Sequence, residues 1–214
     1  MKQARPIPLI LKIGIVLALL LMGGAAGGIW YLGRPAPLPD LGTAPTYQLT
    51  NQDGQTVKST DLLGKVQVVG FIWTNCPDIC PLVTTEMKTL QVALESKGLA
   101  EKGVQLVSIS VDPERDTPAV LKEYAKGYGA AFARWQFLTG TLDEVRGTVV
   151  TGFHIPMEKA PAGDHSAHGG AADYNVSHSG KIGLVDRAGV IRGWYDGTAL
   201  DRDRLLADLS SLLR

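Results

Sequence analysis

Two apolar runs constrain the fold of this chain more than any other feature of its sequence. "VQVVGFIW", residues 66 to 73, and "VQLVSISV", residues 104 to 111, carry no charge, which is typical of strands buried on both faces of a sheet. From Pro81 to about Lys97, between the two runs, apolar residues recur at roughly helical spacing: Leu82, Met87, Leu90 and Leu94. A strand, a helix and a strand in this order predict a right-handed parallel unit, with both strands ending at the same edge of the sheet.

Shorter patterns extend this unit into an α/β domain with the element order of a thioredoxin-like fold. They are a hairpin at Asp53-Gly54, a helix opened by Thr117-Pro118, a strand at "WQFLT", a helix from Leu142 to Val150, two strands around the turn from Asp186 to Gly189, and a helix from Arg202 to Leu212. One stretch does not fit. Residues 155 to 175, rich in Gly, Ala and His, are predicted to be a long insertion without a core pattern.

The N-terminal part of the chain has the composition of a membrane anchor. Residues 13 to 33 run for 21 residues without a charge, enough to cross a hydrocarbon core of about 30 Å as a helix. Three basic residues precede this run and only Arg34 follows it closely. The positive-inside rule then predicts that residues 1 to 12 are cytoplasmic, that 13 to 33 form a single transmembrane helix in the cell inner membrane, and that the domain faces the periplasm or another extracytoplasmic space.

A cleaved signal peptide is the competing interpretation of this segment. The small residues Gly23 to Gly28 follow a short apolar core, Ile13 to Met22, and offer a plausible cleavage region. The anchor is favoured because the apolar run continues to an interfacial aromatic pair, Trp30 and Tyr31. Both interpretations export the domain.

The exported part begins with a linker, and the chain has no excess of either charge. Residues 34 to 45 contain four prolines and are predicted to be a stiff spacer that lifts the domain, residues 46 to 214, off the membrane.

The formal net charge is zero, since 21 basic residues balance 21 acidic residues. A nucleic-acid partner therefore has no electrostatic support.

Both cysteines of the chain lie in "TNCPDICP", residues 74 to 81, just past the first apolar strand. Open α/β sheets tend to place their chemistry at this edge. Pro81 suits the first position of the following helix, so Cys80 is expected near the N-cap, where backbone N–H groups and the helix dipole favour a thiolate. Four residues wound as one helical turn place the Cα atoms of Cys76 and Cys80 about 6 Å apart, a spacing that permits either a disulfide or convergence on one soft metal ion.

His178 is the candidate for a third ligand. It lies just upstream of the strand Lys181 to Asp186, which runs antiparallel to the first two strands in a thioredoxin-like sheet. The start of that strand then lies beside their ends, next to the cysteine loop. An exposed loop histidine is the plainer interpretation, but the two cysteines favour a ligand.

Three stretches in the right order, "TNCPDICP", "SISVDPERDTP" and "YNVSHSGKIGLVDRAG", resemble the Sco/SenC family of copper proteins. The resemblance covers roughly residues 45 to 212 and implies a membrane-anchored, thioredoxin-like domain that binds one copper ion, Cu(I) and also Cu(II), through Cys76, Cys80 and His178. The family role that it implies is assembly of the dinuclear copper centre of cytochrome c oxidase. The copper-bearing subunit of that oxidase and an extracytoplasmic copper donor are the implied partners. Ser177 departs from the family's frequent aspartate before the histidine.

Other functions stay open at this point. A thiol:disulfide oxidoreductase would use Cys76 and Cys80 as a redox pair to keep the target's cysteines reduced, although Gly180 stands where a thioredoxin has its cis-proline. Structural zinc prefers a fourth ligand, for which Asp78 or Asp112 is a candidate. A purely structural disulfide, the default for an exported cysteine pair, would leave the histidine unexplained.

Two further groups of residues are candidates for accessory roles. Met157, His165 and His168 of the insertion form either a copper-collecting loop or an ordinary solvated loop, and the second is favoured because loops tolerate such residues freely. The acidic run from Asp112 to Asp116 either tunes the site and receives a basic partner, or supplies turn and capping residues through Asp116 or Thr117.

Overall fold

The computed structural model describes residues 37–161 and 174–214, and before them only positions 8, 14, 17, 20 and 22–24. The strands are β1 (Gln48–Asn51), β2 (Thr56–Lys58), β3 (Val66–Ile72), β4 (Val104–Ser110), β5 (Trp135–Thr139), β6 (Met157–Pro161), β7 (Tyr174–His178), β8 (Lys181–Val185) and β9 (Ile191–Asp196). The α-helices are α1 (Ile79–Ser96), α2 (Pro118–Gly127), α3 (Leu142–Arg146) and α4 (Arg202–Leu212). Short 3-10 turns span Ser59–Leu62 and Ala100–Lys102, and a π-helical turn, Gly147–Gly152, follows α3.

Seven of these strands form one mixed sheet in the order β2-β1-β5-β4-β3-β8-β9. β3 and β4 are parallel over their whole lengths, from Val66 opposite Val104 to Ile72 opposite Ser110, so both end at the same edge. β8 runs antiparallel to β3, with Ile182 opposite Gly70. The predicted parallel unit and the antiparallel direction of the strand after His178 are therefore confirmed.

The core lies between this sheet and its helices. Every residue of β3 and β4 is buried, which is why both sequences are uncharged and mostly apolar. α1 packs directly on β3, since a Cβ added to Gly70 would lie 3.7 Å from Cγ1 of Val83 and 3.9 Å from Cγ of Met87. Each large apolar side chain buried in this way stabilises the fold by about 1.5–3 kcal/mol relative to an exposed one.

The helix that follows the cysteine loop starts earlier than predicted. α1 begins at Ile79 with Asp78 as N-cap, so Cys80 is its second residue and Pro81 its third. The expectation that Pro81 opens the helix is wrong by two residues, whereas Cys80 lies in the first turn, near the N-cap, as expected. Proline is tolerated at this place because the N–H groups of the first turn have no acceptor within the helix.

The insertion contains more structure than its sequence suggests. β6 and β7 pair as a separate antiparallel hairpin, with Met157 opposite His178 and Pro161 opposite Tyr174. Met157 and Val176 are 6% and 5% exposed and belong to the hydrophobic core, as does Ile155 at 1%. The prediction of a loop without a core pattern is therefore wrong for its two ends.

The structure tests the predicted anchor and linker only in part. Within the described ranges, no helix has the length and apolar character needed to cross a membrane. The predicted anchor, residues 13 to 33, lies mostly outside the described residues and stays a prediction. A compact unit extends from Leu38 to Arg214. Residues of the predicted linker belong to it, because the Leu41 amide donates to Ile191 O at 2.9 Å and the Ala44 amide to Gly189 O at 2.8 Å.

Candidate metal centre

The two cysteine sulfurs are held close together at the end of β3. The backbone amide of Cys80 donates to Sγ of Cys76 over 3.4 Å, and the amide of Trp73 donates to Sγ of Cys80 over 3.5 Å. Cys80 is 0% exposed, whereas Cys76 is partly exposed. The loop therefore presents one accessible sulfur and holds the second beneath it.

The pKa of the Cys80 thiol is raised, contrary to the expectation of a stabilised thiolate. The hydrogen bond with the Cys76 side chain is the largest cause, followed by burial and by the charges of Cys76 and Asp116. The backbone amide of Trp73 lowers the pKa but does not outweigh these effects. Two adjacent sulfurs disfavour two negative charges unless a cation lies between them.

A buried carboxyl group fastens the start of the loop. Asp116 is 0% exposed and accepts hydrogen bonds from Thr74 Oγ1 at 2.6 Å, from the Thr74 amide at 3.2 Å and from Ser110 Oγ at 2.6 Å. Thr74 precedes Cys76 by two residues. Asp116 thus ties the segment after β4 to the segment that carries the first cysteine.

Asp112, at the start of the acidic run, and Thr117, just after its end, have different structural roles. Asp112 is 0% exposed, and its carboxylate lies 3.5 Å from the Arg115 guanidinium, which also stacks over the Trp73 ring at 5.7 Å from the centroid. Thr117, not Asp116, caps α2 by accepting from the Val120 amide. Sequence reasoning missed the anchoring role of Asp116, for which the only sequence signal was an acidic residue shortly after the second buried strand.

The segment that follows His178 lies beside the start of α1, and the role of His178 as a ligand stays a prediction. His178 ends β7, and Gly180, two residues later, packs on the start of α1: a Cβ there would lie 3.7 Å from Cδ1 of Ile79. Ile79 is the neighbour of Cys80. The side chain of His178 is outside what the structure describes. Among the side chains that are described, no group of three or more His, Cys, Asp or Glu residues converges as a metal site.

The structure describes only some of the other candidate residues. Met157 pairs with His178 across the β6–β7 hairpin and is 6% exposed, so the interpretation as a solvated loop is wrong for Met157. His165 and His168 lie outside the described residues. Asp78 is exposed at the N-cap of α1, and Asp112 is bound to Arg115, so neither is placed here as a fourth zinc ligand.

The comparisons with known proteins agree with this architecture. A family model described as SCO1/SenC matches residues 37–214. The chain belongs to the SCO1/SenC family. A SCO1 protein homolog of Bacillus subtilis (strain 168) is 36% identical over 156 residues, which cover 72% of this chain and 78% of the relative.

Solved structures of the family are similar along most of the chain. The structure of Bradyrhizobium japonicum ScoI with copper bound has a TM-score of 0.65 and 30% identity, covering 80% of this chain and 99% of that one. BsSco, a member of the Sco family of cytochrome c oxidase assembly proteins in which a disulfide switch was identified, has a TM-score of 0.69 and 31% identity, covering 83% and 98%. The predicted family and the mixed α/β fold are thereby confirmed.

Proposed function

We propose that this chain is a membrane-anchored copper chaperone that binds one copper ion through Cys76, Cys80 and His178. The observation that carries the proposal is the cysteine loop, in which the Cys80 amide donates to Cys76 Sγ over 3.4 Å. The strand order supports His178 as the third ligand, because β8, which starts three residues after His178, runs antiparallel to β3 and starts near the end of β3. Copper is bound in the similar ScoI of Bradyrhizobium japonicum, which supports the choice of ion.

The donor set fits a soft cation of low coordination number. Thiolate sulfurs favour Cu(I) over hard cations, and two thiolates with one imidazole complete a three-coordinate site. The raised pKa of Cys80 means that its thiol keeps its proton as long as no cation is bound. A bound cation displaces that proton, so copper uptake releases protons and strengthens with rising pH.

The different exposures of the two sulfurs suggest how copper is handed on. Cys76 is partly exposed, and a thiolate of the acceptor can reach copper from that side. Cys80 is completely buried and keeps its hydrogen bond from the Trp73 amide. Ligand exchange then begins at Cys76 and releases Cys80 last.

The proposed acceptor is the copper-bearing subunit of cytochrome c oxidase, whose dinuclear copper centre the chaperone would load. The assignment of BsSco to the cytochrome c oxidase assembly proteins supports this partner. An extracytoplasmic copper donor would fill the site. The apolar segment 13 to 33 is the proposed single-pass anchor in the cell inner membrane, with the domain on the periplasmic or extracytoplasmic side.

A thiol:disulfide oxidoreductase is the second candidate, favoured by the closeness of the two thiols and by the disulfide switch identified in BsSco. In that reaction the Cys76 thiolate attacks a target disulfide and displaces one target thiolate. Cys80 then attacks the mixed disulfide, which leaves a Cys76–Cys80 disulfide and a reduced target. Two electrons pass from the chaperone dithiol to the target.

Replacing His178 with alanine separates the two functions, because it removes one copper ligand and leaves both thiols in place. We expect His178→Ala to bind Cu(I) weakly and to fail in metallating the oxidase subunit, while it still reduces a peptide disulfide. His154→Asn is the matched control, since His154 is an exposed histidine with φ of 56°, a conformation that asparagine tolerates. If His178→Ala supports normal oxidase assembly while Cys76→Ser does not, the chaperone proposal is refuted and the oxidoreductase is supported.

A further inference from the structure

We propose that Pro77, Ile79 and Leu82 form an apolar ridge on which the copper acceptor docks, and that the matching face of the acceptor carries an apolar side chain surrounded by basic residues. This inference rests on the proposed function, because it concerns transfer from the same site. The observation behind it is the exposure of Leu82, which is 50% exposed on the helix that also carries the completely buried Cys80.

The apolar ridge lies directly beside the accessible sulfur. Leu82 follows Cys80 by two residues, or about 3 Å along the helix axis. The amide of Cys80, in turn, donates to Cys76 Sγ over 3.4 Å. Pro77 and Asp78, which connect Cys76 to α1, are both exposed. A protein that reaches copper from the side of Cys76 is therefore brought close to Leu82.

The segment between β9 and α4 borders the apolar ridge. Three residues of α1 share one side of the helix, because three and four positions separate them: Ile79, Leu82 and Glu86. At one end of this row, the Cβ position of Gly180 is 3.7 Å from Ile79 Cδ1 and 3.0 Å from Thr198 Cγ2. At the other end, the Glu86 carboxylate lies 3.6 Å from the Arg202 guanidinium. The segment from Thr198 to Arg202 therefore follows the ridge along its length.

Acidic residues outnumber basic residues around the apolar ridge. Residues 74–86 and 196–203 contain one basic residue, Arg202, and five acidic residues: Asp78, Glu86, Asp196, Asp201 and Asp203. Arg202 is paired with Glu86, and Lys181 lies opposite Asp196 in the β8–β9 ladder. The three other carboxylates are exposed, so this surface is locally negative although the net charge of the chain is zero. Charge complementarity then favours a basic protein face and disfavours an anionic membrane surface.

An exposed leucine without a function is the competing explanation, since single apolar residues are common on protein surfaces. Val92 is the matched control for this possibility. It is 51% exposed on the same helix but lies ten residues, or about 15 Å, beyond Leu82. Glutamine is a good helix former, so Leu82→Gln and Val92→Gln should both fold.

Transfer of Cu(I) from the reduced, copper-loaded full chain to the copper-free oxidase subunit tests the apolar ridge. We expect Leu82→Gln to slow this transfer about tenfold, and Val92→Gln to stay within about twofold of the wild type. Transfer to a small-molecule Cu(I) chelator should proceed at the wild-type rate in both variants, because a chelator reaches Cys76 without contacting the ridge.

The charge of the surface is tested by Asp78→Asn. We expect this variant to slow transfer to the subunit about threefold at low salt, and wild-type transfer itself to slow as the salt concentration rises. Glu95→Gln is the matched control, since Glu95 is exposed at the far end of α1, about 25 Å along the helix, and should have no effect.

The outcomes keep this inference separate from the proposed function. Equal transfer rates to the subunit for Leu82→Gln and Val92→Gln, or an equal slowing of Leu82→Gln toward the chelator, would overturn the docking role and leave the chaperone proposal intact. A dimer of the wild type that Leu82→Gln abolishes in sedimentation would assign the ridge to a second copy of the chain and would also overturn the inference. A wild-type protein that binds no copper, even when reduced, would overturn both.

Discussion

Replacing Asp116 with alanine should remove the hydrogen bonds that link the cysteine loop to β4, and the loss of stability can be estimated from those bonds. Asp116 is buried and accepts from Thr74 Oγ1 and Ser110 Oγ, both at 2.6 Å, and from the Thr74 amide at 3.2 Å. Each such bond contributes about 1 kcal/mol net, and an amide left unsatisfied in the interior costs more. We therefore expect Asp116→Ala to lower the free energy of unfolding by about 3 to 4 kcal/mol.

Thermal and urea unfolding of the reduced protein measure this loss. For a domain of this size, about 3 to 4 kcal/mol corresponds to a decrease in Tm of about 6 to 16 °C. Alkylation of Cys76 should also become faster, since the segment before it is no longer tied down. Asp196→Ala is the matched control: Asp196 also accepts from the amide and the hydroxyl of one threonine, Thr198, at 2.9 and 2.6 Å, but it is exposed.

Water replaces the lost partners at an exposed site, so Asp196→Ala should cost less than about 1 kcal/mol. If Asp116→Ala and Asp196→Ala destabilise the protein equally, or if the Cys76 alkylation rate does not change, the anchoring argument is refuted.

The contribution of Asp116 to the stability of the fold should depend on pH, and the direction of that dependence follows from its pKa. Burial raises the pKa of Asp116, against the lowering effect of the hydrogen bonds from Ser110 and Thr74. Above the ordinary aspartate pKa of 3.8, the folded state then holds more protons than the unfolded state, so this group's contribution to stability is lost as the pH rises through the folded pKa. Asp116→Asn cannot ionise. Its stability relative to the wild type should therefore improve as the pH rises, and urea unfolding at a series of pH values checks this.

Two further predictions concern the β8–β9 region. Gly197→Ala should destabilise the domain by about 1 to 3 kcal/mol and weaken Cu(I) binding. The reason is that the added Cβ would lie 2.6 Å from the Gly180 carbonyl oxygen and would displace the segment after His178. An unchanged Cu(I) affinity in competition with a chelator would contradict this prediction. Burial of Asp186 raises its pKa, but hydrogen bonds from the Val190 amide and Arg192 outweigh burial and lower it overall. Asp186 therefore stabilises the fold above its ordinary pKa and loses that effect in acid, so Asp186→Asn should reduce stability at pH 7 more than at pH 3 in urea unfolding.

The sequence predicts the central sheet well because its physical signals are local and strong. β3 and β4 are buried on both faces, which makes continuous apolar runs, and α4 has clear amphipathic spacing, so its predicted bounds from Arg202 to Leu212 match the structure. The hairpin turn is confirmed at Gly54, whose φ of 77° favours glycine.

The sequence fails where burial comes from distant parts of the chain. In β6 and β7 the apolar signal rests on Met157 and Val176, flanked by polar residues and by Pro161, which is unusual in strands. The raised pKa of Cys80 depends on complete burial and on the approach of a second sulfur, which helix position does not reveal. The residues of the cysteine loop were predictable from motif spacing, whereas their anchor, Asp116, became visible only in three dimensions.

The pairing of residues 41 to 44 with the first residues of β9 determines where the chain joins the domain. Thr43 bridges to Val190, and the Ile191 amide donates to Gly42 O at 2.9 Å, so the chain joins at the β8–β9 turn. That turn lies next to the start of β3, because the Gly64 amide donates to Arg187 O, whereas the cysteines follow its end. The point of attachment and the cysteine loop are therefore at opposite poles of the domain, separated by the length of β3, about 20 Å. The residues that lead into the domain are therefore bound far from the cysteines, so a substitution that weakens their hydrogen bonds with the β8–β9 turn should leave the hydrogen bonds of the cysteine loop unchanged.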